Sequence, residues 1–408
     1  MGFAIYQIMP SNLKELSDED FIKEVASRII AIRSVSPETG GTGEKDRADE
    51  ICRILEELGY SGYKRFDVTD KNSVTRSNIV LTVGNKPQTF WFISHIDTVP
   101  AGDPSLWTRP PFQATVEGDR IYGRGTSDDG QAVFLSLLLL RQIKLENLKY
   151  SLGFAFVADE EVGSTYGIQH LLQKDLFKET DLIVVPDAGT EDGLQIEVAE
   201  KSILWIKFKV SGKQYHASMP FMAVNANRES MKFLLSLDEA LHTKFDATNA
   251  IFSPPVSTFE PTRHDKNVDN INTIPGTEFL YMDCRILPKY DLDSVIDFID
   301  QQIRDFQRTS KAKITYEFMQ KEQAPIPTRI DAPVVLELKK ALKELRGAEP
   351  SAVGIGGGTC AAFFRRKGYD AVVWSTTIPE VAHQADEYVY IPHILQDRDV
   401  ILKIVYET

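Results

Sequence analysis

Apolar positions first recur at helical spacing at Phe21, Val25, Ile29 and Ile30, just after Ser17, Asp18, Glu19 and Asp20. A hydroxyl cap followed by acidic residues suits the positive end of a helix, so the pattern predicts a helix starting there. A second stripe, Ile51, Ile54, Leu55 and Leu58, ends at Gly59, a residue suited to a left-handed cap. Beyond it the period changes to short apolar runs at 77–83, 89–94, 151–158, 182–185 and 371–375, separated by helical stretches that include 132–140. Strands alternating with helices predict an α/β fold whose mostly parallel sheet carries helices on both faces.

The stretch 203–318 reads differently. It alternates as a strand over 204–210, turns helical over 226–241, and then reads strand, helix and strand over 278–286, 292–306 and 313–318, with room for another strand near 256–259. Such a series predicts a small α+β, ferredoxin-like insertion. Pro325 and Pro327 read as its linker back to the parallel sheet, so the expected organisation is a first part at 1–202, the insertion at 203–318 and a return at 319–408. A chain of 408 residues is long enough for both units.

Composition narrows the function classes. Apolar residues at 42% and charged residues at 26% match folded proteins, which excludes a fibrous or largely disordered chain. The net charge of −13 repels phosphate backbones and anionic lipid, so neither nucleic acid nor a membrane is expected as a partner. Cys52, Cys284 and Cys360 lie far apart and form no CxxC pair, which suits a reducing compartment. The start shows no basic segment ahead of an apolar core, and no apolar run reaches bilayer length, so a cytoplasmic location is the expectation.

The apolar runs lead into side chains that bind metals. The run 89–94 precedes His95 and Asp97, 151–158 precedes Asp159, Glu160 and Glu161, 182–185 precedes Asp187, and 371–375 is followed by His383. In open α/β sheets ligands bind outside the carboxyl ends of the strands, so these residues should converge on one crevice. Asp128 and Asp129, in the turn before the helix at 132–140, form a further group. Any one of these residues reads as a solvated loop position; their joint occurrence points to a metal centre. Asp129, Asp159 and His170 keep the plainer structural reading, as do His242, His264 and His393.

The segments SHIDTVP, YGRGTSDDG, FVADEEVGS, PDAG, YHASMP, NTIPG, GGGT and AHQADEYV follow one another in an order that resembles the zinc peptidase and deacylase family of acetylornithine deacetylase, succinyl-diaminopimelate desuccinylase, aminoacylase and glutamate carboxypeptidase. The resemblance implies a zinc exopeptidase-like catalytic domain made of 1–202 and 319–408, with 203–318 as a lid and dimerisation domain through which a homodimer forms. It implies two Zn2+ per chain, with Co2+ or Mn2+ as substitutes. His95, Asp128 and Asp187 would hold one; Asp128, bridging, would share the second with Glu161 and His383. His216 becomes the oxyanion donor, within its own chain or across a dimer, and Asn272, Arg285, Gly357, Gly358 and Thr359 the substrate-binding residues. Arg285 reads equally well as a structural ion pair.

Elementary chemistry agrees. Two Zn2+ with three carboxylate ligands and one hydroxide carry no net charge, which favours a deprotonated water near neutral pH. Asp97 stands two residues from His95, on the same side of an extended strand, and can orient its imidazole. Glu160 adjoins Glu161 and points the other way, so one can bind metal while the other serves as general base. The glycine run 354–358 does not make a dinucleotide loop, because Thr359 occupies the last position of GxGxxG. Desuccinylases carry an Arg soon after GGT, whereas Cys360, Ala361, Ala362 and Phe363 supply no charge, which argues against a succinyl group. Cys360 reads as a packed side chain rather than a nucleophile. The expected function is a dinuclear zinc-dependent amidohydrolase of amino-acid metabolism that removes an acyl group from an N-acyl amino acid. A zinc dipeptidase or carboxypeptidase acting on a short peptide is the alternative within hydrolases, and a non-catalytic binding or dimerisation relative the alternative from another class.

Overall fold

The structure is a computed structural model that describes residues 12–406; the segment before residue 12, part of the stretch read for a leader, lies outside the described residues. Two compact units divide the chain. The first takes residues up to Val198, Thr328–Ala352 and those from Thr359; the second takes Ala199–Pro327 and Val353–Gly358.

In the first unit the opening helix runs Asp18–Ile30, with the Ser17 hydroxyl accepting the Asp20 N–H at 3.1 Å. The next helix, Lys45–Glu57, ends where Gly59 adopts φ 95°, as its stripe and glycine predict. An eight-stranded sheet follows the order Lys64–Arg65, Ile79–Val83, Ser151–Val157, Thr89–His95, Leu182–Val185, Ala371–Val373, Gln195–Glu200 and Ser351–Ile355. The four central strands, Ser151–Val157 through Ala371–Val373, run parallel. Antiparallel pairing flanks them, Ile79–Val83 on one side and Gln195–Glu200 on the other.

Parallel strands are buried on both faces and therefore read as continuous apolar runs. Thr89–His95 and Ser151–Val157 are buried at every position. Trp91 and Ile93 join Phe364 and Leu171, from the helices Cys360–Arg366 and Ile168–Leu171, in one cluster. Trp91 lies against Gly153 of the neighbouring strand, where any Cβ would come within 2.3 Å of the indole, and its Nε1–H donates to Asp181 Oδ2 at 2.9 Å. On the other side Ser94 Oγ meets Ser136 Oγ, 3.4 Å away on the apolar helix Gly130–Gln142.

The second unit has the strand–helix–strand–strand–helix–strand order of a ferredoxin-like fold. Its antiparallel sheet follows the order Thr258–His264, Thr277–Ile286, Ser202–Ser211 and Lys313–Glu322. Leu204, Ile206, Phe208 and Val210 alternate into a core with Leu280, Met282 and Cys284, and the helices Ala226–Lys244 and Leu292–Gln307 close it with Phe233, Leu237, Val295 and Ile299. The unit takes in 353–358, which the sequence reading assigned to the return segment. Ile355 O accepts the Lys201 N–H at 3.0 Å, Gly354 N–H donates to Ile251 O at 2.8 Å, and the Phe252 ring lies where a Cβ on Gly354 would be 2.3 Å away.

Candidate functional site

Because the four central strands are parallel, their carboxyl ends share one edge of the sheet. His95 is the last residue of its strand, Glu160 and Glu161 follow Ser151–Val157 in a short 3-10 turn, and Asp187 lies two residues past Leu182–Val185. His383 arrives on the loop after Ala371–Val373, at φ 62°. Asp128 comes from the turn before Gly130–Gln142, and its peptide bond to Asp129 is cis.

The side chains meet closely. The two oxygens of Asp128 face different histidines: Oδ1 lies 2.8 Å from His95 Nε2 and Oδ2 lies 3.0 Å from His383 Nε2. His383 Nε2 is also 3.2 Å from Glu161 Oε2, and His95 Nε2 is 3.7 Å from Asp187 Oδ1. The ligand atoms of His95, Asp128 and Glu161 form one mutual group within 4.8 Å, and those of His95, Glu160 and Asp187 form another. Glu160 is thus placed close enough to be either a ligand or the neighbour of a bound water.

Asp97 is fully buried and organises this cluster. Its Oδ1 accepts the Glu160 N–H at 3.0 Å and stands 3.4 Å from His95 Nδ1; its Oδ2 accepts the Glu161 N–H and the Ser36 hydroxyl, both at 3.1 Å. Burial opposes its charge, yet bonding to His95 and to those N–H groups holds its carboxyl below the usual range.

Electrostatics tests whether a cation fits. Asp97, Asp128, Glu160, Glu161 and Asp187 gather around His95 and His383, so carboxylates outnumber imidazoles in a mostly buried cluster. Burial, then the Asp187 charge, pushes Glu160 well above the ordinary carboxylate range, and Glu161 is raised by burial as well. His95 is raised despite its burial by Asp128, Asp187 and Asp97, and Asp128 with Glu161 raises His383 to about 10. Without metal, each histidine would hold a proton between carboxylates, which is where a divalent cation would replace it. Imidazole nitrogen and carboxylate oxygen are donors that zinc accepts. The donor set fits the metal.

Asp129 and Asp159 are structural. Asp129 Oδ2 accepts the His95 N–H at 3.0 Å, and Asp159 Oδ1 pairs with Arg76 at 3.1 Å. Cys360 is buried, and burial pushes its thiol well above the ordinary value, so it is not a ready nucleophile. The residue that sequence reasoning passed over is Glu387. Fully buried, it accepts Arg124 Nη1 at 2.6 Å and the N–H groups of Gly125, Ser127 and Asp128 at 3.0, 2.8 and 3.1 Å, and so shapes the turn that presents Asp128. The only signal was its place in AHQADEYV, four residues after His383.

The remaining expected residues, apart from Thr359, lie in the second unit. His216 pairs in register with Thr273, and the Ala217 N–H donates to Asn272 O at 2.9 Å, which makes His216 and Asn272 neighbours. The Ser218 N–H donates to His216 Nδ1 at 3.2 Å, so a neutral imidazole carries its proton on Nε2. Arg285 is ion-paired with Asp283 through Nε at 2.7 Å and Nη2 at 3.0 Å, while Nη1 donates to Gly356 O at 2.9 Å. Its guanidinium fork already has a carboxylate. Thr359 caps the helix Cys360–Arg366, its hydroxyl accepting the Ala361 N–H at 3.2 Å. Gly357 and Gly358 lie in the turn before it.

Residues 91–407 match the pattern of Peptidase family M20/M25/M40. The chain belongs to that family. This M20 metallohydrolase is 41% identical to an uncharacterized metallohydrolase of Methanocaldococcus jannaschii, over 95% of this chain and 99% of the relative. It is 26% identical to a succinyl-diaminopimelate desuccinylase of Orientia tsutsugamushi, over 94% of each chain. Its fold is that of an aminopeptidase PepT from Bacillus cereus, with a TM-score of 0.74 at 18% identity over 95% of this chain and 98% of that one. A metallo-carboxypeptidase from Sulfolobus solfataricus matches with a TM-score of 0.71 at 19% identity, over 95% and 99%. The reading as a non-catalytic relative gives way to an enzyme. Among the described residues of this metallohydrolase, no helix is long and apolar enough to cross a membrane.

Proposed function

We propose that this metallohydrolase is a dinuclear zinc amidohydrolase that removes a small acyl group from an N-acyl amino acid. The observation that carries the reading is the geometry of Asp128, whose two oxygens face His95 and His383 separately, as a carboxylate shared by two cations would. His95, Asp128 and Asp187 would hold one Zn2+, and Asp128, Glu161 and His383 the other, with Co2+ or Mn2+ able to replace zinc. Bound, the metals would polarise the amide carbonyl and make a water more acidic.

The chain's own residues do the rest. Glu160, whose carboxylate lies within 4.8 Å of the ligand atoms of His95 and Asp187, takes a proton from the water and returns it to the departing amine. Asp97 holds the backbone of both glutamates and orients His95. His216, its Nε2 carrying the proton, donates to the developing oxyanion, from its own chain or from a partner copy. Asn272, Gly357, Gly358 and Thr359 are assigned to hold the substrate. Arg285 would do so only by exchanging Asp283 for a substrate carboxylate. Cys360, Ala361 and Ala362 are buried in the helix that follows Thr359 and supply no cation, which favours a short uncharged acyl group over succinyl. The second unit is assigned as a lid through which the chain forms a homodimer, and the enzyme as cytoplasmic. Cleavage of a dipeptide or of a peptide's carboxyl end would use the same chemistry.

The test pairs two variants with a hydrolysis screen of acetylated and succinylated amino acids beside dipeptides. Glu160→Gln should keep both metals and lose at least about 10³-fold in kcat. Glu161→Gln should lose one metal. Metal loss in the first with retention in the second would reverse the two assignments.

A further inference from the structure

We propose that Arg76 and Asn78 are positioning residues for the catalytic glutamates, an inference that rests on the roles just given to Glu160 and Glu161. Arg76 ends the short strand Thr75–Arg76, and Asn78 immediately precedes Ile79–Val83. Each grips the turn 158–166.

Asn78 clamps its base. The strand Ser151–Val157 ends at Val157, and the next N–H, that of Ala158, donates to Asn78 Oδ1 at 3.0 Å, so a side chain continues the pattern that backbone pairing with Ile79–Val83 had begun. Asn78 Nδ2 then donates to Tyr166 O at 2.9 Å, at the far end of the same turn, and to Phe66 O at 3.1 Å. Both ends of the turn are therefore tied to one amide.

Arg76 sets its direction. Asp159 turns the chain at φ 70°, the left-handed conformation that a non-glycine residue adopts only when its surroundings hold it. Its carboxylate is held on two sides: Oδ2 accepts the Tyr166 N–H at 2.9 Å, and Oδ1 pairs with Arg76 Nη1 at 3.1 Å. The other arm of the guanidinium, Nη2, lies 3.5 Å from Ser36 Oγ, the hydroxyl that donates to Asp97 Oδ2. Asp97 in turn accepts the N–H groups of Glu160 and Glu161. One fully buried guanidinium thus reaches the two residues beneath the glutamates, Asp159 directly and Asp97 through Ser36. Glu44 binds both Nε and Nη2 and fixes the plane of the fork, which a lysine at this position could not reproduce.

A fault in this clamp would displace Glu160 by a fraction of an ångström without removing any reacting group, and misplacement on that scale costs turnover rather than binding. The experiment compares Arg76→Lys and Asn78→Ala with the unchanged enzyme in three measurements: the kcat and KM split, the content of added zinc, and hydrogen exchange of the metal-free protein. Both variants should lose about 10-fold to 100-fold in kcat with KM within about 2-fold. The Glu160 and Glu161 amides should exchange about 10-fold faster or more, while amides of the strand Ser202–Ser211 in the other unit stay as they were. A lowered Tm with kcat and those two amides unchanged would reduce Arg76 and Asn78 to fold support and overturn the proposal. If Arg76→Lys does not fold, Asn78→Ala decides by the same criteria. The exchange result stands without turnover, so failure to find an acyl-amino-acid substrate would count against the proposed function while leaving the clamp tested on its own.

Discussion

Glu387 offers a sharp test of how the proposed metal ligands are held. Replacing it by alanine removes acceptors for Arg124 Nη1 and for the N–H groups of Gly125, Ser127 and Asp128. Bonds to a charged acceptor contribute about 1.5–3 kcal/mol each, but such partners act as a unit and do not add. The larger effect is the charge left behind. The Arg124 side chain is 3% exposed, and without Glu387 it keeps His383 O at 3.4 Å and the face of Trp107 as its surroundings. Breaking a buried ion pair by removing one partner costs about 3–5 kcal/mol, a large share of the roughly 5–15 kcal/mol that holds a domain folded. Denaturant unfolding of the metal-free protein should show a loss of that size for Glu387→Ala. Zinc affinity measured by competition with a chelator should fall about 10-fold to 100-fold, because the Asp128 turn loses its support. Adding Arg124→Met to Glu387→Ala should recover part of the stability, since no unpaired charge then remains, but little of the zinc affinity, which depends on the backbone bonds to Gly125, Ser127 and Asp128. A loss below about 1 kcal/mol with unchanged zinc affinity would refute the idea that this carboxylate organises the turn.

Two further predictions concern protons and the second unit. In the metal-free protein His383 is raised from 6.5 to about 10, so the stability it gains from Asp128 and Glu161 is fully present below 6.5 and is lost as pH rises through 10. Between those values the Tm of chelated protein should fall more for the unchanged chain than for His383→Ala, and zinc affinity should climb as the competing proton leaves; equal Tm profiles would remove His383 from the cluster. His216→Ala should keep its metals and its Tm while losing about 10²-fold to 10³-fold in kcat, and mixing it with Glu160→Gln chains should restore some activity if the histidine acts across a dimer; an unchanged kcat would exclude it from the reaction.

Much of this arrangement was legible beforehand because buried parallel strands announce themselves as apolar runs. Leu182–Val185 ends where its run ends, and Thr89–His95 exceeds its run by one residue, the proposed ligand His95 itself. The alternation of Leu204, Ile206, Phe208 and Val210 was equally clear, and their strand extends it at both ends to Ser202–Ser211. Where the signal failed, polar residues occupied buried positions. Gln195–Glu200 carries Glu197 and Glu200, both nearly inaccessible, and so does not read as a sheet strand. Asn78 continues the sheet's bonding with its amide although the adjoining strand begins at Ile79, which is why the apolar run and the strand disagree by two residues.

The same distinction separates ligands from their supports. The proposed ligands were readable because their donors suit zinc and most of them follow strand ends that the topology places along one edge of the sheet. Neither Glu387 nor Arg76 has both marks. Acidic and basic residues are common on any surface, and only the folded structure shows that Arg76 is fully buried and that Glu387 accepts one arm of Arg124 and three backbone N–H groups. Their importance comes from burial, which makes an ordinary charge costly unless its partners are in place. Burial depends on the order of strands across the sheet, in which Thr89–His95 sits between Ser151–Val157 and Leu182–Val185, both later in the chain. That crossover brings His95 beside Glu161 and Asp187, and with them the charges that a metal and a supporting guanidinium must balance.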